Sequence, residues 1–169
     1  VPEFTHIEIL RHGPKAWNAW RNQNPDQLPN LDDAALTLGE RQWGLVNGGP
    51  INLRSVQMRR AFLRCAALSG AGLEAADLFG ADLMYARLDG ANLTAANLTY
   101  ALLDFADLRG AVLTKTKLKG TNLRYVKNLT QAQIDDTICD DTTAFPAHLV
   151  HPLSKSGIVS KVMLHSVLS

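Results

Sequence analysis

Apolar side chains return at every fifth position through the middle of this chain. Steps of five from Leu53 reach Met58, Leu63, Leu68 and onward to Leu123, fifteen positions of which fourteen are Leu and one is the near-isovolume Met58. Two residues ahead of these positions, an unbroken run of eleven Ala extends from Ala61 to Ala111, with Ile51 and Val56 before it and Thr116 and Thr121 after it. The unit is A-x-L-x-x. Neither regular element has that period: a helix face recurs about every 3.6 residues and a strand face about every 2. On a helix the Leu row would drift around the axis and never form one buried stripe. A period of five fits a chain that turns a corner every five residues, so that four corners close a square coil of twenty. The Ala and Leu of each unit then point inward and fill a narrow interior, and the other three residues face out.

This spacing, with segments such as Ala76-Asp77-Leu78, Ala81-Asp82-Leu83, Ala91-Asn92-Leu93 and Ala96-Asn97-Leu98, resembles the pentapeptide-repeat family, whose motif centres on Leu or Phe with a small residue two before it. The resemblance spans fifteen units, 75 of 169 residues. It implies an all-β fold, a right-handed quadrilateral β-helix of about four coils with short α-helical caps. At ~4.8 Å between stacked strands the column is ~19 Å tall, so its ends matter.

A solenoid exposes unpaired backbone at each end unless something covers it. Residues 1–28 are expected to form an N-terminal cap of two short helices. Pro14 suits a first helical turn, and Ile9, Leu10, Trp17 and Trp20 can share one apolar face. The stretch Gly13 to Arg21 resembles the N-terminal segment of many cyanobacterial members of the family. Residues 29–50 read as degenerate repeats, with Leu31 and Leu36 five apart but out of register with Leu53, followed by an inserted loop, Gly39 to Pro50, that resets the phase. The regular coil occupies 51–128. Residues 129–145 are expected to form a C-terminal helical cap, because Thr130 and Gln133 have capping-box spacing. That helix would run from Gln131 to about Ile138 and lay Leu129, Ile134 and Ile138 over the last coil. The run Leu129 to Asp135 with Cys139-Asp140-Asp141 resembles the C-terminal cap of some members. Residues 146–169 read as a tail, with Pro146 and Pro152 marking extended chain.

Composition refines this picture. A hydrophobic share of 46% argues against disorder, and few aromatics leave Ala and Leu to build the core. A formal net charge of +1 gives no global preference for nucleic acid. Cys65 and Cys139 lie far apart with no disulfide framework, which points to a reducing, cytoplasmic setting. No basic-then-apolar leader and no apolar run of spanning length is present in the sequence. His6 and His12, and His148 and His151, lack further ligands at metal-site spacing, so they read as surface histidines and no metal or cofactor is expected. Cys65 points outward, but the repeat region has no His to serve as its base. Asp135-Asp136 and Asp140-Asp141 fit solvation and capping, and no phosphate-cradling loop occurs. The expectation is a protein that is not an enzyme.

Residues twenty apart share a face. One outward ladder reads Cys65, Tyr85, Phe105, Tyr125; beside it run Arg64, Met84, Asp104, Arg124 and, on the other side, Phe62, Asp82, Leu102, Asn122. Phe62, Arg64, Cys65, Met84, Tyr85, Leu102, Phe105, Arg124 and Tyr125 are the candidate partner-binding face, since contiguous exposed apolar patches mark contacts. Stacked rings also stabilise a coil by themselves, and the tail could cover part of the patch. Charge is banded: Arg54, Arg59, Arg60 and Arg64 in the first coil, an acidic second coil, and Lys115, Lys117, Lys119 and Arg124 in the fourth. The reading is a structural or interaction module for a protein partner, with self-association open. The alternative that the resemblance implies is a topoisomerase-binding DNA mimic of the quinolone-resistance type. That alternative needs a long acidic rod, whereas residues 51–125 hold ten basic against six acidic side chains, a net +4. Direct nucleic-acid binding is weaker still, because the basic bands are separated and lack a groove.

Overall fold

A computed structural model of the chain describes residues 4–36 and 50–155. Through 51–127 it is a square coil. Parallel bridges join residues twenty apart on four successive sides, Asn52↔Gly72, Gln57↔Asp77, Phe62↔Asp82 and Ala67↔Arg87, and repeat up the column to Asp107↔Lys127. Each side contributes one bridging residue, so the described coil has isolated bridges in place of continuous strands, and the all-β expectation is met only in that reduced form. The cause is geometric. With a corner every five residues, only the residue before each Leu and its neighbours stay extended long enough to pair.

The interior follows the period. Ala61, Ala71, Ala76, Ala81, Ala91 and Ala96, and every Leu from Leu63 to Leu123 along the fifth-residue row, are at most 2% exposed. Corners are closed in two ways. The carbonyl of each central Leu accepts the N–H three residues on, as in Ala81 to Leu78 and Ala86 to Leu83. The Asp or Asn before the Leu accepts the N–H two residues on: Asp77 from Phe79, Asp82 from Met84, Asn92 from Thr94, Asn97 from Thr99. That is an Asx turn, and it explains why Asp and Asn recur at this position.

The last residue of most units has a left-handed backbone. Gly70, Gly80, Gly90, Gly110 and Gly120 do so without strain, but Arg60, Cys65, Tyr85, Tyr100 and Phe105 adopt the same conformation, at φ from 54° to 63°.

Below the first coil, Asn30 bridges Gln57 and Ala35 bridges Phe62. Leu31 and Leu36 are buried beneath Met58 and Leu63 as two further sides. Their offset is 27, seven more than the regular twenty, which is the phase shift that puts Leu31 and Leu36 out of register with Leu53. The loop expected to reset it lies, apart from Pro50, outside the described residues.

Among the described residues four short helices flank the coil. Helix α1 (Phe4–Arg11) packs on α2 (Pro14–Gln23), which begins on Pro14 as its first-turn residue. Helix α3 is the single turn Gln131–Ile134, and α4 is Pro152–Lys155. The helix expected to reach about Ile138 therefore stops four residues short. Thr116 and Ile138, and Thr121 and Ala144, are joined by main-chain hydrogen bonds, so residues 138–144 continue the coil for two more sides. Ile134 is fully buried and Leu129 nearly so, but Ile138 occupies an outward bridging position and is 42% exposed.

Candidate interaction face

The side of the coil centred on Leu63, Leu83, Leu103 and Leu123 carries the aromatic ladder. Tyr85 and Phe105 stack with centroids 5.1 Å apart and planes 16° apart, and Phe105 and Tyr125 at 5.7 Å and 21°. All three rings are exposed, as are Phe62 and Leu102 in the neighbouring column. Cys65 is exposed at the head of the ladder. Arg124 is exposed at the far end and Met84 is half-buried. Arg64 lies across this face, its Nε 3.3 Å from Asp82 and a terminal nitrogen donating to the Met84 sulfur at 2.9 Å. The nine side chains thus occupy one side, with a central ring stack, an apolar margin at Phe62 and Leu102, and an arginine at each end.

A second ring cluster escaped the sequence reading. Phe79 and Tyr100 meet edge to face at 5.6 Å on the adjacent side, with the Arg59 guanidinium 5.0 Å above Phe79. Those rings belong to different outward columns, so stepping by twenty never pairs them. The Tyr100 ring fills the space above Gly120, where a Cβ would collide with it.

The charge bands have a physical partner pattern that a coil-by-coil reading hides. Arg54 faces Glu74, Arg59 faces Asp77 and Arg64 faces Asp82, each joining the basic first coil to the acidic second. Arg60 reaches down to Asp33 with two hydrogen bonds, at 2.7 and 2.8 Å. These bonds hold the Asp33 carboxyl below the usual range. Lys115, Lys117 and Lys119 make no such pair among the described residues.

Two of the four histidines read as surface groups are not free on the surface. His6 is 5% exposed, edge to face with Trp20, and its Nδ1 accepts the Asn30 N–H at 3.4 Å. It is buried because α1 packs onto the same apolar face as Trp17 and Trp20. His151 is half-buried against Phe145, donates from Nε2 to the Asp140 carbonyl and accepts at Nδ1 from Leu153. His12 and His148 are exposed. Burial and the neighbouring Asp140 push the Cys139 thiol up, away from the thiolate that reactivity needs. Among the described residues no cluster of three or more His, Cys, Asp or Glu is placed to hold a metal ion. No described helix is long and apolar enough to cross a membrane.

Residues 86–124 match the family model for pentapeptide repeats, in eight copies. A pentapeptide repeat protein, Rfr23, from the cyanobacterium Cyanothece 51142 is 29% identical, with a TM-score of 0.52 over 62% of this chain and 71% of that one. Residues 86–124 are thus pentapeptide repeats. A second cyanobacterial pentapeptide repeat protein, from Nostoc Pcc 7120, is 29% identical over 83% of this chain and 91% of its own, at a TM-score of 0.45. QnrB1, a plasmid-mediated fluoroquinolone resistance protein, aligns at 14% identity with a TM-score of 0.26 over 82% of this chain and 84% of that one. No curated protein matches the chain significantly. In this chain the repeat interior is carried by Ala and Leu almost throughout, so what distinguishes it lies in its outward columns.

Proposed function

We propose that this pentapeptide-repeat protein is a non-enzymatic interaction module, and that a protein partner with a flat, apolar surface docks on the Tyr85–Phe105–Tyr125 side. The observation that supports it most is where the rings stand. Tyr85 and Phe105 occupy left-handed corners, at φ 60° and 63°, where the next side of the coil carries Gly70, Gly90 and Gly110. Holding a bulky residue there costs about 1–2 kcal/mol, and each ring stack returns only about 0.5–1.5 kcal/mol. For the fold the rings are close to break-even, yet they stay exposed and aligned, which suits an external contact.

We take the coil to wind right-handed, as the family resemblance implies. The two free thiols fit a reducing, cytoplasmic setting. Engagement of the first-coil arginines with Glu74, Asp77 and Asp82 lowers the net field of both bands, which disfavours a DNA mimic and a nucleic-acid binder alike. The test is the double variant Tyr85→Asn/Phe105→Asn, since Asn tolerates the left-handed corner while deleting the rings. Loss of partner capture or of self-association in sedimentation, with the coil still folded, supports the reading. Unchanged association refutes it.

A further inference from the structure

A buried arginine without a carboxylate partner stands where α2 meets the first coil. Arg21 is 9% exposed. Its terminal nitrogens donate to the carbonyls of Gln27 at 2.8 Å and Arg54 at 3.0 Å. Those two bonds leave three of a guanidinium's five N–H groups without a protein acceptor among the described residues, the enclosed Nε among them. Beside it opens a cleft of about 420 Å³ lined by Arg21, Asn22, Pro25, Asn52, Arg54 and Ser55. The cleft thus holds two guanidinium groups, two amides and a hydroxyl. Arg54 is largely exposed, and its one carboxylate neighbour, Glu74, stands 3.9 Å away, too far for a charge-assisted hydrogen bond. Burial, and then the neighbouring Arg54 charge, lower the Arg21 pKa. A buried cation held only by carbonyls is an incompletely compensated charge, and an anion in the cleft would complete it.

We propose that this cleft binds a small oxyanion, phosphate or carboxylate, between Arg21 and Arg54. The site is independent of the aromatic face. Glu74 competes for Arg54, so binding pulls Arg54 from Glu74 toward the ligand. This arrangement makes two single substitutions act in opposite directions. Arg54→Gln removes a ligand contact, and Glu74→Gln removes the competitor; neither touches the bonds by which Arg21 ties α2 to the coil.

The experiment is a titration of the full chain, labelled with nitrogen-15, with inorganic phosphate in one arm and citrate in the other at low ionic strength. Amide shifts at Asn22, Asn52 and Ser55 and the Arg21 Nε–H resonance report the cleft. The expected result is a saturable shift confined to these groups in at least one arm, which also assigns the oxyanion class. Affinity should fall roughly fivefold or more in Arg54→Gln and rise severalfold in Glu74→Gln. Shifts that fail to saturate, that centre on Lys115, Lys117 and Lys119, or that respond to both variants in the same direction would overturn the proposal.

Discussion

The indole Nε1–H of Trp17 donates to the Asn52 carbonyl at 2.6 Å, the place that one coil further on is taken by the main-chain N–H of Leu53 on the carbonyl of Gly72. The substitution extends along α2. An Arg21 nitrogen donates to the Arg54 carbonyl, where Ser55 serves Glu74 in the next coil. Asn18 Oδ1 accepts the Asn52 N–H at 2.8 Å, where Ile51 accepts from Gly72. Trp17, Asn18 and Arg21 lie on one face of the helix, at i, i+1 and i+4. Three side chains therefore stand in for the missing strand on this side, and the open edge of the solenoid is closed.

Trp17→Phe keeps most of the ring and deletes the donor. The Asn52 carbonyl is then left without its partner, at a cost of about 1–3 kcal/mol. Denaturant unfolding should show that loss, and hydrogen exchange should place the loosening at the first coil, leaving residues around Leu103 protected.

Gly90 and Gly120 share a left-handed φ, near 67° and 66°, but differ in surroundings. A Cβ at Gly90 meets nothing within 4 Å, whereas at Gly120 it strikes the Tyr100 ring. Gly90→Ala should cost about 1 kcal/mol, from the backbone alone. Gly120→Ala should cost more, and Tyr100→Ala in the same chain should bring it back toward the Gly90 value. Thermal unfolding of the four chains checks this.

Thr116 and Thr121 break the interior Ala column, yet both are fully buried. Their hydroxyls donate to the carbonyls of Leu93 and Leu98 at 2.7 Å. The Leu93 carbonyl keeps the Ala96 N–H without Thr116, and Val56 fills an equivalent interior position in the first coil. Thr116→Val should therefore cost no more than about 1 kcal/mol, measured by denaturant midpoint, well below the cost at Trp17.

Acid should loosen the molecule from its carboxylates. Asp33 is held low by hydrogen bonds from Arg60, Asp107 by Asn128 and then the Arg109 N–H, and Asp140 by the Thr142 hydroxyl. A depressed folded pKa means that the stabilisation is complete above the unfolded value, near 3.9, and is lost as pH falls through the folded one. The unfolding midpoint should hold steady above pH ~5 and decline below pH ~4. Asp107→Asn, which cannot titrate, should flatten part of that decline.

The square coil was legible because one steric demand, a narrow interior, repeats at every corner and leaves Ala and Leu as its record. The face of the ladder followed from the same arithmetic, since Tyr85, Phe105 and Tyr125 are twenty apart. What lay outside the arithmetic was hidden for physical reasons. Left-handed corners at Tyr85 and Arg60 have no composition signal, because packing overrides the usual preference for Gly. Trp17 reads as apolar on a helix face, and nothing local reveals that its N–H meets a carbonyl 35 residues away. The helix after Thr130 reads longer than it is because residues that could continue it pair instead with the fourth coil. His6 looks solvated until α1 is laid against Trp20.

The proposed docking on the Tyr85–Phe105–Tyr125 side requires that one side of the coil, and not the solenoid as a whole, make the contact. A photoreactive phenylalanine analogue placed at Phe105 and, in a separate chain, at Ala95 on the opposite side of the coil tests this in the native cell extract. A cross-linked species is expected from position 105 that is absent from position 95 and is lost with Tyr85→Asn. Equal cross-linking from both positions, or from position 95 alone, would contradict it.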